Sequence, residues 1–334
     1  MESASLFSRF PYIPSHLPNE VLYAWISRLH ILNSYRGSKN TLRDLFGSSL
    51  VMPSVDLPSN LQRFLENTNG WGPFKSLEEI TEKMTLFPYF SRFVSRERRQ
   101  DILSRMGSCT NGPKASMGLL ANGFGASVLL RRCNLCDEEY LRLYGCRTWL
   151  SFHQLPFITV CPVHGVPLVS YFIQSQLANK NCLLVKETSS TLMPERMSQP
   201  MAARFSALSQ QALYSTAPAL SNEKRAQCYV AAIAGLNMAC KNRINWDKLV
   251  NFVGQSYNWF SGMACQGRLL SSSTQPMRWL HDLCHRPDRN QHPVCHLLLV
   301  GCLFKDVDSF FRMAIDLRSS TSFASNPSYG EYTL

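Results

Sequence analysis

The chain has 334 residues, 45% of them hydrophobic and 17% charged, which excludes a disordered chain and leaves room for two or three packed domains. Lys and Arg outnumber Asp and Glu by 34 to 23, giving a net charge of +11 and a pI near 9.2, and this excess points to a polyanionic partner such as nucleic acid. Met1–Phe10 lacks the apolar core of a secretory signal, and the longest apolar run, Leu297–Phe304, falls far short of the ~18–20 residues of a membrane span. The expectation is therefore a cytoplasmic protein with no membrane partner, whose cysteines outside the motif described below are free thiols.

Residues 1–16 read as a lead-in segment. Pro18-Asn19-Glu20 then marks a helix start, and Leu22, Trp25, Ile26 and Leu29 follow at helical spacing on one buried face. Gly37-Ser38 breaks that helix, and Asn40–Phe46 reads as a second one closed by Gly47, which together make a helix-turn-helix pattern. Within the loop-rich 48–75, Leu61–Asn67 predicts a short helix. Ser76 with Glu79 has capping-box spacing, and Ser95 caps a basic helix over Arg96–Met106. Arg96, Arg98 and Arg99 on that helix are candidate DNA contacts. Gly107–Gly125 reads as a Gly/Ser/Asn-rich link.

The next stretch carries the chemistry. Cys133-x2-Cys136 and Cys161-x2-His164 are separated by 24 residues. Two intervening residues let a tight knuckle aim both side chains at one point, so three thiolates and one imidazole complete a tetrahedron with no open position. The expected cofactor is one structural Zn2+. Arg131 and Arg132 precede the first knuckle, where positive charge favours thiolates, and Pro162 and Gly165 suit the sharp turn of the second. Arg131, Arg132 and Arg147 join the candidate DNA contacts.

CxxC, an insert with Trp149 and His153-Gln154-Leu155-Pro156, and then the CPxHGxxL of residues 161–168 resemble the zinc motif of the TniQ/TnsD transposon proteins. Asn19–Leu29 is similar to the family's opening helix, with Trp25 and Arg28 marking the region. Thr85-Leu86-Phe87-Pro88 resembles its TLFP segment. The resemblance implies a target-site selector that binds attachment-site double-stranded DNA. It also implies that the N-terminal half docks an AAA+ regulator of the TnsC type, which activates a separate transposase. A family alternative is an adaptor that links a CRISPR guide-RNA complex to the same regulator. No second Cys-x-x-Cys follows Cys161, a departure from guide-complex members. A reading outside the family is a zinc-containing transcription regulator.

Beyond Tyr171 the pattern is loose to about Pro200, and an all-helical half follows. Helices are expected over Ala203–Leu213, Glu223–Lys241 and from Asn245 to Phe260, with Ser271–Pro276 as a polar linker. Trp279–Pro287 and His292–Leu299 resemble a C-terminal helix pair of the family that packs as a second helix-turn-helix. Arg286 and Arg289, in the turn between them, complete the candidate DNA contacts. Cys284, His285, His292, Cys295 and His296 are too irregularly spaced for a second zinc site. No GxxxxGK[ST], HExxH or GxSxG occurs, and Asp137, Glu138 and Glu139 read as solvated, so no enzyme is expected. The predicted fold is mainly α. It comprises a helix-turn-helix-type N-terminal domain over 1–125, a zinc-ribbon-like module over 126–175, a helical DNA-binding domain over 176–317 and a tail over 318–334.

Overall fold

The computed structural model describes residues 10–33, 37–51, 54–69, 71–108, 129–172, 190–192, 200–240, 243–257 and 277–317. The Gly-rich link beyond residue 108, the Ser271–Pro276 linker, the predicted extension of a helix to Phe260 and the tail from residue 318 lie outside the described residues. The fold is mainly helical, as expected, and no described helix is long and apolar enough to cross a membrane.

The N-terminal half contains α1 (Leu22–Leu32), α2 (Ser38–Phe46), α3 (Leu61–Thr68), α4 (Leu77–Met84), α5 (Phe87–Phe90) and α6 (Arg96–Gly107). The first helix begins at Leu22, not at Pro18. Asn19 takes a left-handed conformation (φ 55°), Glu20 pairs its backbone with Leu150, and Val21 N–H donates to the Trp149 carbonyl at 3.1 Å. The residues before the helix are thus committed to strand-like pairing with the cysteine-bearing segment. Trp25 is core: it is fully buried, donates its indole N–H to the Pro14 carbonyl and meets Phe64 edge-on. The turn into α2 uses Gly37 and the turn out uses Gly47, both at positive φ, where a side chain would be strained. Ser76 and Ser95 cap α4 and α6 by accepting from the N–H groups of Glu79 and Arg98.

A small antiparallel sheet of β1 (Leu129–Arg132), β2 (Val169–Phe172) and β3 (Ser190–Leu192) follows, with Arg131 opposite Ser170. Between β1 and β2 lie α7 (Asn134–Tyr144) and a 3-10 turn at Ser151–His153.

The C-terminal half contains α8 (Pro200–Tyr214), α9 (Asn222–Gly235), a two-residue hairpin of β4 (Ala239–Cys240) and β5 (Arg243–Ile244), α10 (Trp246–Ser256), α11 (Arg278–His285), α12 (Pro293–Leu303) and α13 (Val307–Asp316). Helix α9 stops at Gly235, short of the expected Lys241, because Asn237 turns the chain at positive φ and the next residues pair as the hairpin. α12 is apolar all round and is surrounded by α8, α9, α10 and α11, with every residue from Pro293 to Gly301 buried.

The halves share one continuous apolar core. Its seam is the TLFP segment: α5 packs on α8, and Phe93 stacks on the His296 ring at 4.6 Å between centroids.

Candidate metal centre

Each knuckle is a local device. Cys133 ends β1 in extended backbone and is the N-cap residue of α7, so Cys136 falls in the first helical turn, facing back. Cys161 N–H donates to the Val166 carbonyl and Gly165 N–H to the Cys161 carbonyl, both at 2.8 Å, closing a tight loop. Gly165 stands at φ +68° at its exit, the sharp turn its sequence position suggests.

The two loops bring Cys133, Cys136, Cys161 and His164 together, with all four ligand atoms within 4.8 Å of one another. Cys136 Sγ is 3.7 Å from Cys161 Sγ. His164 Nδ1 lies 3.6, 3.2 and 3.8 Å from the sulfurs of Cys133, Cys136 and Cys161. Tetrahedral zinc, with bonds of roughly 2.3 Å to sulfur and 2.0–2.1 Å to nitrogen, needs edges of about 3.8 Å between sulfurs and about 3.5 Å from sulfur to nitrogen. The donor set and its spacing fit the ion. The hydrogen bonds shared among the three sulfurs push the Cys133 thiol down and the Cys136 and Cys161 thiols up. A divalent ion at this position would stabilise all three sulfurs as thiolates. Four such donors leave no open position on a tetrahedral ion, the arrangement of a structural rather than a catalytic site.

Around the ligands sits a buried polar frame. His153 Nε2 lies 3.5 Å from Cys161 Sγ, and burial holds its pKa down at about 3, which leaves a neutral ring to support the sulfur. Gln154 fastens the insert to β1: its amide accepts from Arg131 N–H at 3.0 Å and donates to the Arg131 carbonyl at 2.9 Å. His153 and Gln154 were visible in the sequence only as part of the motif; nothing in residue type or spacing reveals their partners.

Two of the candidate DNA contacts, Arg131 and Arg132, lie in the interior, contrary to the exposed position expected of a phosphate contact. The Arg131 guanidinium is buried and donates to the carbonyls of Gln154, Leu155 and Ile158. Arg132 is buried with its guanidinium 3.7 Å above the Trp149 ring and 3.8 Å from Asp137. These side chains organise the insert, with their guanidinium groups committed to internal partners. The remaining arginines differ in freedom. Arg96 and Arg147 are exposed, whereas Arg98 pairs with Asp101 and Arg99 pairs with Glu82. Arg286 is half-buried, and exposed Arg289 reaches Asp282 at 3.4 Å.

Among the described residues no second metal-holding group exists. His292 Nδ1 instead accepts from Val294 N–H to cap α12, and His296 Nδ1 is hydrogen-bonded to the Tyr229 hydroxyl at 2.8 Å.

The cysteine-bearing segment is also clasped to both halves. Glu20 is fully buried, 2.8 Å from Arg28, and accepts from Thr148 Oγ1 at 2.6 Å. Tyr140 donates to the Pro18 carbonyl, and Tyr214 of α8 donates to Asn19 Oδ1.

Two family models match the chain. The TniQ family profile matches residues 11–168, from the lead-in segment through the second knuckle. The family described as Tn7-like transposition protein D matches residues 206–330. The Transposon Tn7 transposition protein TnsD of Escherichia coli is 28% identical over 153 residues, a stretch covering 46% of this chain. The match spans 30% of that protein's length.

Proposed function

This chain belongs to the TniQ/TnsD family of transposition proteins, and from that premise we propose that it selects the target site of a transposon. In this reading it binds attachment-site DNA and presents it to an AAA+ regulator of the TnsC type, which acts on the transposase. The observation that carries the reading is that the first family match runs unbroken through the α1–α2 hairpin and all four ligands, while the second contains the α11–α12 hairpin. Zn2+ held by Cys133, Cys136, Cys161 and His164 would supply rigidity. It would lock a segment that touches Asn19–Val21 on one side and α8 on the other, and so fix the angle between the halves. Arginines of the accessible surface would neutralise phosphates. In the C-terminal hairpin α12 is buried along its length, so the accessible part is the turn bearing Arg286 and Arg289.

The test is selection of bound sequences from a random duplex library by the purified full chain at near-physiological salt, with binding of the AAA+ protein of the same element measured in parallel. Enrichment of one sequence together with AAA+ binding is the expected result. AAA+ binding without enrichment would move the protein to the adaptor role, in which a guide complex chooses the site. Loss of both would sink the proposal.

A further inference from the structure

Where the end of α5 meets the linker between α8 and α9, the two halves leave a cleft of about 370 Å3. Its walls include Glu82, Ser91, Arg92, Arg99, Ser215 and Thr216. Arg92 is only 9% exposed, and its terminal nitrogens donate to neutral groups. One terminal nitrogen donates to the Ala217 carbonyl at 2.7 Å and the other to the Ser215 carbonyl. Its guanidinium lies 5.7 Å from the Phe311 ring centroid, and its buried Nε has no partner among the described residues. Burial lowers the Arg92 pKa to about 10, Arg99 adds to that push, and Glu82 and Asp308 oppose it. Neither carboxylate is within ion-pair distance of Arg92, and Glu82 is already taken by Arg99.

A buried guanidinium that makes no ion pair among the described residues carries a desolvation cost that a bound anion offsets most effectively in low dielectric. The second cation, Arg99, is held in place over the Phe87 ring at 4.5 Å, with Ser91 and Glu82 as its hydrogen-bond partners. Ser91 accepts from Arg99, so its hydroxyl proton remains available to an oxygen in the cleft. Thr216 adds an exposed hydroxyl at the mouth. Two guanidinium charges, each with N–H groups beyond those its protein partners take, together with two hydroxyls suit the oxygens of a phosphate group, and the volume lies in the range of small-molecule sites. We infer that this cleft is a phosphate-binding site, with Arg92 and Arg99 as its cations and Ser91 and Thr216 as its hydroxyl donors. The phosphate comes either from a nucleic-acid backbone or from a free phosphate ion. The inference stands on the cleft alone and does not require the target-selection reading.

Sodium phosphate is titrated calorimetrically into the full chain, against sodium chloride of equal ionic strength. One phosphate per chain is expected, with a Kd of about 1 mM or tighter. Because Arg92 also tethers the linker, Thr216→Glu carries the decisive reading. It brings a carboxylate to the mouth of the cleft from an exposed position, and should weaken phosphate binding about tenfold with unchanged circular dichroism. No binding by the native chain up to roughly 20 mM phosphate overturns the site, as does unchanged affinity in Thr216→Glu. Competition between phosphate and a duplex of about 30 base pairs at constant ionic strength assigns the group to the DNA backbone, and independent binding assigns it to the free ion.

Discussion

Helices α7 and α12 are each 11 residues long and are held in opposite ways. α12 buries nine consecutive residues, Pro293–Gly301, and is the centre of the C-terminal core. In α7 only Cys136 is buried, while Leu135, Leu141, Leu143 and Tyr144 are exposed. Burial of apolar surface explains the first helix and cannot explain the second. α7 is fixed by its ends and by single contacts: Cys133 and Cys136 at the start, Tyr140 on the Pro18 carbonyl in the middle, and Gly145 at positive φ as the stop. A segment held in this way is expected to depend on a metal at its four-residue cluster, whereas the C-terminal half depends on packing.

That contrast breaks most visibly when the metal is removed. Cys133→Ser or Cys161→Ser should abolish stoichiometric zinc and unfold the segment over residues 129–172, since structural zinc in small modules contributes on the order of 10 kcal/mol or more. Metal content by atomic absorption and the loss of amide-exchange protection in that segment report it. Protection of α12 should outlast the loss. If zinc stays at one per chain and melting is unchanged, the four residues are not the ligands.

The opposite perturbation is Leu298→Ala, which should lower global stability by about 2–5 kcal/mol through lost contacts and a cavity in α12. Zinc content should remain at one per chain in the folded protein. A stability change under ~1 kcal/mol in urea unfolding would mean that α12 is not the core element its burial indicates.

A smaller effect follows from the imidazoles around α12. Burial lowers the His292 pKa to about 3 and holds His296 well below its ordinary value. The unfolded chain therefore takes up these protons first. The stability the two groups contribute is complete above about pH 6.5 and is lost as pH falls towards their folded values. Each lost proton-free ring costs about 1.4 kcal/mol per pH unit in that window. His296→Gln should reduce the slope of stability against pH by about that amount between roughly pH 6 and 5. Equal slopes in urea titrations of the two proteins would place His296 in contact with solvent.

The sequence made most of the fold and the four ligands legible because both are written in short-range patterns. Helical spacing marked α1 to α4, serine caps marked α4 and α6, and paired x2 spacing marked the knuckles. It failed where long-range partners decide. Glu20 looked like a helix-start residue, yet it is buried against Arg28 and Thr148, 128 positions away for the latter. Helix α13 has local signals of its own, an Asp306 cap and Val307, Phe310, Phe311 and Ala314 at helical spacing, but that Phe310 and Phe311 pack beside Phe93 of the other half is not legible from them. The arginines show the limit best. A guanidinium reads as a surface cation in any sequence, and only the carbonyls of Gln154, Leu155 and Ile158 show that Arg131 is an internal brace.

That distinction gives the smallest but most discriminating effect. Arg289→Gln removes one exposed charge from the α11–α12 turn and a 3.4 Å pair with Asp282. If the turn meets DNA, the variant should bind duplex about threefold to tenfold more weakly, with the slope of log affinity against log salt reduced by about one. Arg132→Gln should do the reverse. It removes the guanidinium stacked on Trp149, so the melting temperature falls, while the salt slope of the folded protein is unchanged because no phosphate contact is lost. Binding isotherms at three salt concentrations separate the two cases, since a folding defect scales the active fraction and leaves the slope alone. A reduced slope for Arg132→Gln with normal melting would reverse the assignment and return the cysteine-bearing segment to the DNA surface. An unchanged slope for Arg289→Gln would move that surface to exposed Arg96 or Arg147.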